Sequence, residues 1–252
     1  MGALSAWHAT AIFAAGIAAG TINTVVGSGT LITFPTLIAF GYAPVTANVS
    51  NTIGLVPGSV SGAVGYRTEL SGQRERVIGL GGAAVCGGVL GSVLLLVLPA
   101  SAFKAIVPFF IAVALLLIVL QKQINRALGD RRRDAGEGLP PGALAGAFAC
   151  GIYGGYFGAA QGILMMSVLG LSLADSMQRL NAVKVVTTGL TNLVAGVVFV
   201  LAAHVAWDVA GLIAGGSIVG GVLGARYGRR LSPTALRALI VAVGIVAIVR
   251  LI

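Results

Sequence analysis

The chain has 252 residues, of which 57% are hydrophobic and only 9% are charged, and its mean hydropathy is +1.00. Since soluble domains carry about 25% charged residues, this composition excludes a soluble globule and predicts an all-α integral membrane protein whose partner is the lipid bilayer. The formal net charge is +9, but Lys and Arg in a membrane protein more often mark topology than nucleic-acid binding, so we expect no nucleic-acid partner.

Apolar stretches alternate with short polar segments along the whole chain. A spanning helix needs about 20 residues, and the third, fourth and fifth stretches on each side of a central arginine-rich segment have roughly that length. The first two of each set are short and predict a helical hairpin interrupted at a glycine cluster. In chain order the stretches are 8–26, 30–41, 44–65, 77–98 and 102–121, then 142–157, 161–173, 177–203, 207–226 and 233–252.

The two sets of stretches resemble each other in sequence. "GGVLG" begins at residue 87 and again at residue 220, 133 residues later, and the same offset places Asn48 over Asn181. An offset of 131 places 20–32 over 151–163. Several matches in one order predict an internal duplication. The expected organisation is an N-terminal transmembrane repeat (1–121), a basic linker (122–141) and a C-terminal transmembrane repeat (142–252).

The distribution of Lys and Arg predicts the orientation. A hairpin or a pair of crossings followed by three spans gives each repeat an odd number of crossings, so the second repeat is inverted. Fourteen of the 16 Lys and Arg residues then fall on one side, and only Lys104 and Arg250 fall on the other. The positive-inside rule predicts that the basic linker is cytoplasmic and that both termini are extracytoplasmic.

Each repeat has an interruption where a membrane helix would otherwise continue. The first is Gly27-Ser28-Gly29-Thr30, within "TVVGSGTLITFP", and the second is Gly158–Gly162. A break in hydrocarbon leaves backbone groups unpaired at several kcal/mol each, and matching breaks in two repeats indicate a transport site. Each break would place a helix amino end, worth about +0.5 of a charge, near the membrane centre, where it would attract an anion. The alternative is a glycine-lined helix crossing without a ligand.

The third stretch of each set carries a polar stripe. Spacings of 3, 4, 7 and 11 put Asn48, Asn51, Thr52 and Ser59 on one helix face, and Asn181, Lys184, Thr188 and Asn192 on another. Such groups either hold helices together or line a pathway. Lys184 is the sharpest candidate, because an ionisable residue within a span is often functional; it could pair with an anion or extend to the cytoplasmic surface.

Three residues beside the breaks add further candidates. Tyr153 and Gln161 could bond to an oxyanion or be structural, and Asn23 could satisfy carbonyls freed by the first break. The complete set of predicted substrate-binding residues is Asn23, Gly27, Ser28, Gly29, Thr30, Asn48, Asn51, Tyr153, Gly158, Gln161, Asn181, Lys184 and Thr188.

The sequence contains no pattern typical of an enzyme. It lacks a nucleophile elbow, a Walker motif and the Cys/His spacing of a metal site. We therefore expect no catalytic residues, no metal and no cofactor. Cys86 and Cys150 both lie in apolar stretches, and we expect no disulfide.

Residues 16–66, "GIAAGTINTVVGSGTLITFPTLIAFGYAPVTANVSNTIGLVPGSVSGAVGY", together with "YGGYFGAAQGILMM" and "LNAVKVVTTGLTNLVAGVVF", resemble the sulfite exporter TauE/SafE (TSUP) family. The resemblance covers nearly the whole chain and departs from the family pattern at Ala159 and Ala160, where glycine is common. It implies a bacterial inner-membrane secondary carrier with two inverted repeats. The implied cargo is a small anionic substrate: sulfite, a sulfonate or an organosulfur carboxylate.

We therefore expect a transporter working by alternating access. An anion channel and a non-transporting membrane scaffold are the alternatives. The GxxxG spacings at Gly58/Gly62 and Gly87/Gly91 suit helix packing within one chain or between chains, which leaves a homo-oligomer open.

Overall fold

The computed structural model describes residues 4–131, 139–228, 240–242 and 245, with the backbone alone described at 121, 122 and 124–131. All regular structure in these ranges is helical. The helices in chain order are α1 (Ala6–Val25), α2 (Thr30–Ala39), α3 (Pro44–Gly65), α4 (Arg67–Leu70), α5 (Arg74–Val97), α6 (Ala100–Arg131), α7 (Pro141–Tyr156), α8 (Gln161–Ser172), α9 (Met177–Ala202) and α10 (Trp207–Tyr227).

The helix bounds follow the apolar stretches closely, and the all-α prediction is confirmed for the described part of the chain. Two features differ from the sequence expectation: α4 is a single unexpected turn, and α6 runs on to Arg131, into the segment assigned to the linker. The extension of α6 contains good helix formers such as Arg, Ala, Leu and Gln. The expected span 233–252 lies outside the described residues except for 240–242 and 245.

Five of the described helices are both long and apolar enough to cross a membrane: Ala6–Val25, Arg74–Val97, Ala100–Leu120, Met177–Ala202 and Trp207–Tyr227. α3 has 22 residues, enough in length, but its polar stripe lowers its hydropathy. α2 and α8, with 10 and 12 residues, are too short to span. The chain is therefore a multi-pass membrane protein.

α1 and α2 form a hairpin. The rings of His8, near the start of α1, and Phe40, at the end of α2, lie 4.4 Å apart. The chain turns back after α1, because Gly29 lies against Ala19 and Asn23.

α7 and α8 form the second hairpin in the same way. Leu139 and Leu144, at the start of α7, share a buried cluster with Leu169 and Leu173, at the end of α8. The two short helices thus return to the end of the bundle from which their hairpins began.

Helices from the two predicted repeats are interleaved. α10 packs on α1 and α3, with no room for a Cβ at Gly20 against Ser217 or at Gly221 against Gly58. α5 packs on α7 in the same way, with no room at Gly91 against Ile152. Such contacts bring helix backbones together, as is common in membranes. We call α1, α2, α3 and α10 the first bundle, and α5, α7, α8 and α9 the second bundle.

The loop after α4 and the start of α9 meet at one end of the molecule. Asp175 forms ion pairs with Arg76 and Arg179, and Gln73 donates to the carbonyl oxygen of Arg179 at 3.0 Å. Burial raises the pKa of Asp175, but hydrogen bonds from Arg179 and Arg76 outweigh it and hold that pKa below its usual value. A polar cavity of about 490 Å³ lies beside these groups.

The opposite end carries the loops after α2 and before α10. There, burial and then the negative charge of Asp208 raise the pKa of Tyr42. Trp7 and Trp207 are exposed at this end, as aromatic residues at a membrane interface commonly are.

Candidate functional site

α1 and α7, the first helices of the two hairpins, end in the same backbone motif. The amides of Val26 and Gly27 donate to the carbonyl oxygen of Ile22 at 2.7 and 3.0 Å, and Gly27 has a φ of +87°. This left-handed conformation after the last helical turn is a common helix ending, and it favours glycine because it has no Cβ.

The second break repeats this geometry. The amides of Phe157 and Gly158 donate to the carbonyl oxygen of Tyr153 at 2.9 and 3.0 Å, and Gly158 has a φ of +74°. The two glycines therefore explain why both apolar helices end where they do.

The two breaks touch in the interior. The Gly162 amide, at the start of α8, donates to the carbonyl oxygen of Gly27 at 3.0 Å. Neither glycine has room for a Cβ, so the hairpin tips meet backbone to backbone. Ser28, in the first break, is 0% exposed.

The carboxyl end of α1 is capped by side chains of α9. Lys184 Nζ donates to the carbonyl oxygens of Asn23 and Thr24 at 3.1 and 3.2 Å. Asn181 Nδ2 also donates to Thr24, at 3.2 Å. A cation at a helix carboxyl end offsets its partial negative charge, and the bonds satisfy carbonyls that the break leaves free. Lys184 is 0% exposed, so its side chain does not extend to the surface.

The carboxyl end of α7 is capped from α3. Asn48 Nδ2 donates to the carbonyl oxygen of Tyr156 at 3.0 Å. Each third helix thus caps the broken helix of the other predicted repeat. Beside this end, Tyr153 donates its hydroxyl to the carbonyl oxygen of Ala159, and Gln161 Nε2 donates to that of Cys150.

The amino ends of the two short helices differ. In α8, the amides of Gln161, Gly162 and Ile163 all have carbonyl acceptors. In α2, the Leu31 amide donates to the carbonyl oxygen of Ser28, whereas Gly29 and Thr30 come too early for an acceptor within the helix. At the first helical residue, therefore, the Gln161 amide of α8 has an acceptor, whereas the Thr30 amide of α2 has none within its helix.

Polar side chains surround this end of α2. Asn51 Nδ2 donates to Thr30 Oγ1 at 3.3 Å, and Asn51 Oδ1 accepts a bond from Thr33. Ser28 Oγ and Asn48 Oδ1 are buried and have no hydrogen-bond partner among the described residues. Unpaired buried polar atoms are uncommon and call for an explanation such as a ligand.

The structure distributes the predicted site residues over three places. The first break and its surroundings hold Asn23, Gly27, Ser28, Gly29, Thr30 and Asn51; the second holds Asn48, Tyr153, Gly158 and Gln161; and α9 brings Asn181 and Lys184 to the end of α1. Two residues make other contacts than expected: Asn23 Nδ2 donates to Ser59 Oγ at 3.4 Å, and Thr188 donates to the carbonyl oxygen of Lys184 within α9.

Sequence reasoning missed Thr33. Its hydroxyl contacts Asn51 and lies one turn beyond Thr30 on α2. The spacing of three residues places both hydroxyls on one helix face, which is the signal that identifies it.

Comparison with known proteins assigns the chain to a protein family. The family model for Sulfite exporter TauE/SafE matches residues 12–251. A probable membrane transporter protein of Haemophilus influenzae is 28% identical over 237 residues, covering 91% of this chain and 89% of that protein.

Two further relatives carry similar names. The probable membrane transporter protein YfcA of Escherichia coli is 27% identical over 87% of this chain and 79% of its own length. The probable membrane transporter protein ORF9 of a Sinorhizobium species is 27% identical over 98% of this chain and 93% of its own length. No solved structure matches the chain.

Proposed function

The chain belongs to the sulfite exporter TauE/SafE family, and we propose that it is a secondary transporter that moves a small anionic sulfur compound across the bacterial inner membrane by alternating access. The proposed cargo is sulfite, a sulfonate or an organosulfur carboxylate. The names of the relatives support a membrane transporter, and the cargo class rests on the family description and on the charge of the site.

One observation carries this proposal: the amino end of α2 offers amides beside a buried, unpartnered Ser28 hydroxyl. Amino ends of helices bind anions because their amides point outward and their partial charge is positive. The neighbouring carbonyl ends would repel an anion, but Lys184, Asn181 and Asn48 already occupy them.

The candidate residues then divide into two roles. We assign the anion contacts to Ser28, Gly29, Thr30 and Asn51. The remaining candidates position the breaks, through the helix endings at Gly27 and Gly158 and through bonds to main-chain oxygens from Asn48, Tyr153, Gln161, Asn181, Lys184 and Thr188. Asn23 contributes the main-chain oxygen that Lys184 binds.

We further infer an inverted repeat with its arginine-rich end in the cytoplasm and both termini outside. The reciprocal caps support it: Asn48 and Asn181, which the sequence offset pairs, each cap the other repeat's broken helix. The hairpins would open to opposite sides of the membrane, and relative movement of the two bundles would expose the site to each side in turn.

Replacing Ser28 with alanine tests the site. Because its hydroxyl has no partner in the described structure, Ser28→Ala should leave the unfolding temperature unchanged or slightly raised. Methanesulfonate binding, measured by calorimetry, should weaken by about 1.5–3 kcal/mol, since a hydrogen bond to a charged group is lost. The matched control is Ser92→Ala, because Ser92 is equally buried but donates to the carbonyl oxygen of Val89. Unchanged methanesulfonate affinity in Ser28→Ala would refute the assignment.

Flux measurements separate a carrier from the alternatives. Purified protein in liposomes should take up methanesulfonate with saturation and should show counterflow, in which internal cargo accelerates uptake. Linear flux without counterflow would indicate a channel. Absence of flux for sulfonates, sulfite and thiol carboxylates alike would indicate a scaffold.

A further inference from the structure

Among the described residues, one interior side chain can carry a full charge. Lys184 is the one buried charged side chain among the residues whose side chains are described. Its ammonium donates to two main-chain oxygens of α1 rather than to a carboxylate. An ammonium has three donors, so two are used and the positive charge has no acidic partner there.

The other ionisable groups described on the surrounding helices add no charge to this interior. α7 contributes Cys150, Tyr153 and Tyr156, which are uncharged near neutral pH, and α1 contributes His8 at its far end. The other charged side chains that the structure describes lie away from this interior. Lys104 is exposed near the start of α6, and the rest lie at or beyond helix ends: Arg67, Glu69, Arg74, Glu75, Arg76, Asp175, Arg179, Asp208 and Arg226.

The four helix ends at the breaks offset one another. α1 and α7 each bring a carboxyl end, worth about −0.5 of a charge, and α2 and α8 each bring an amino end, worth about +0.5. Their sum is about zero. Lys184 therefore sets the net charge of the site, and the amides and the Ser28 hydroxyl determine where an anion is held.

We propose that the site selects its cargo by charge, accepting anions with one negative charge and excluding dianions. This inference rests on the proposed function, because it describes the cargo of the same site. A monoanion makes the interior neutral together with Lys184. A dianion would bury one negative charge without a partner, which is strongly unfavourable in a low-dielectric interior. Monosulfonates, hydrogen sulfite and monocarboxylates would be cargo, whereas disulfonates and the sulfite dianion would not.

Two permanently charged probes test the proposal on the wild-type protein. Methanesulfonate carries one negative charge and methanedisulfonate carries two at every pH near neutrality. We expect methanesulfonate to be taken up into liposomes containing the purified chain, and methanedisulfonate to bind at least about a hundredfold more weakly. Comparable uptake of both probes would overturn charge selection and leave the transport proposal standing. Failure of both probes to bind would overturn the two proposals together.

A charge-removing variant provides a second, independent readout. Lys184→Met keeps a long flexible side chain without the charge, so the preference should move from methanesulfonate to its neutral analogue methanesulfonamide. Lys184→Arg keeps the charge and should keep the preference for methanesulfonate. Equal weakening of both probes in Lys184→Met would mean that Lys184 only holds α1 in place, and would overturn the proposal. If Lys184→Met does not fold, the wild-type comparison alone decides.

Discussion

At the scale of single residues, the polar groups near the breaks act mainly on the main chain. Lys184, Asn181 and Asn48 each bond to carbonyl oxygens at the end of a broken helix. Their first effect is therefore to lower the free-energy cost of unpaired main-chain groups in hydrocarbon. An anion contact is then left to the few groups without such a partner, above all Ser28.

The second break contains a strained residue. Ala160 has a φ of +58° and is the one non-glycine residue with positive φ among the described residues. This conformation costs an alanine roughly 1–2 kcal/mol.

Glycine at this position should relieve the strain. Ala160→Gly loses a buried methyl group and gains backbone freedom in the unfolded chain, but release of the left-handed strain offsets both, so its free energy of unfolding should change little. Ala159→Gly is the matched control, since Ala159 is equally buried and has no positive φ; it should lose about 1–2 kcal/mol. Denaturant unfolding in detergent measures both variants. Equal losses would show that Ala160 is not strained.

At the scale of helices, glycine faces decide which helices pair. Gly87 and Gly91 of α5 lie against the main chain of α7, and Gly216 and Gly220 of α10 lie against that of α1. Small residues permit this approach, and the repeated "GGVLG" stretch supplies glycines to both contacts.

A pair of alanine substitutions in α5 tests this packing. Gly91 has no room for a Cβ against Ile152, whereas Gly82 has no atom within 4 Å. Gly91→Ala should destabilise the protein by about 1–3 kcal/mol through overpacking, and Gly82→Ala should stabilise it by up to about 1 kcal/mol through helix propensity. The measurement is thermal unfolding in a Cys86→Ser background. Unfolding is detected by a thiol dye that reacts with Cys150 once this buried residue becomes exposed. A Gly91→Ala variant as stable as Gly82→Ala would contradict the close α5–α7 contact.

At the scale of the whole molecule, local features could be predicted from the sequence and long-range pairings could not. The breaks at Gly27 and Gly158 follow from local chemistry, because small and polar residues interrupt apolar runs. The partners of Lys184 are main-chain oxygens 160 and 161 residues away, and no side-chain pattern marks a main-chain oxygen. Likewise, glycine patterns in α5 and α10 indicate close packing without indicating the partner helix, so the interleaving of helices from the two predicted repeats could be seen only in the structure.

This interleaving leads to a prediction about movement. Alternating access requires two bodies that move against each other. The helix packing favours the first and second bundles, rather than the two predicted repeats, as these moving bodies. α9 belongs to the second bundle but also contacts α3 of the first, so crosslinks from α9 to α3 and to α5 can test which helices move together. A Cβ at Gly196 would lie 3.9 Å from Ile53 Cα of α3, and a Cβ at Gly88 of α5 would lie 3.5 Å from Thr191 Cα of α9, so the backbones at both pairs are close enough for a disulfide to be tried.

We expect the Ile53→Cys/Gly196→Cys disulfide, which joins the bundles, to stop methanesulfonate counterflow, and a reductant to restore it. The Gly88→Cys/Thr191→Cys disulfide lies within the second bundle and should leave counterflow largely intact. Both pairs are made in a Cys86→Ser/Cys150→Ala background, so that no other thiol competes. Counterflow that survives the first crosslink would mean that α9 does not move relative to α3. Counterflow that stops with the second would mean that α9 moves relative to α5. Either result would contradict the assignment of the first and second bundles as the moving bodies.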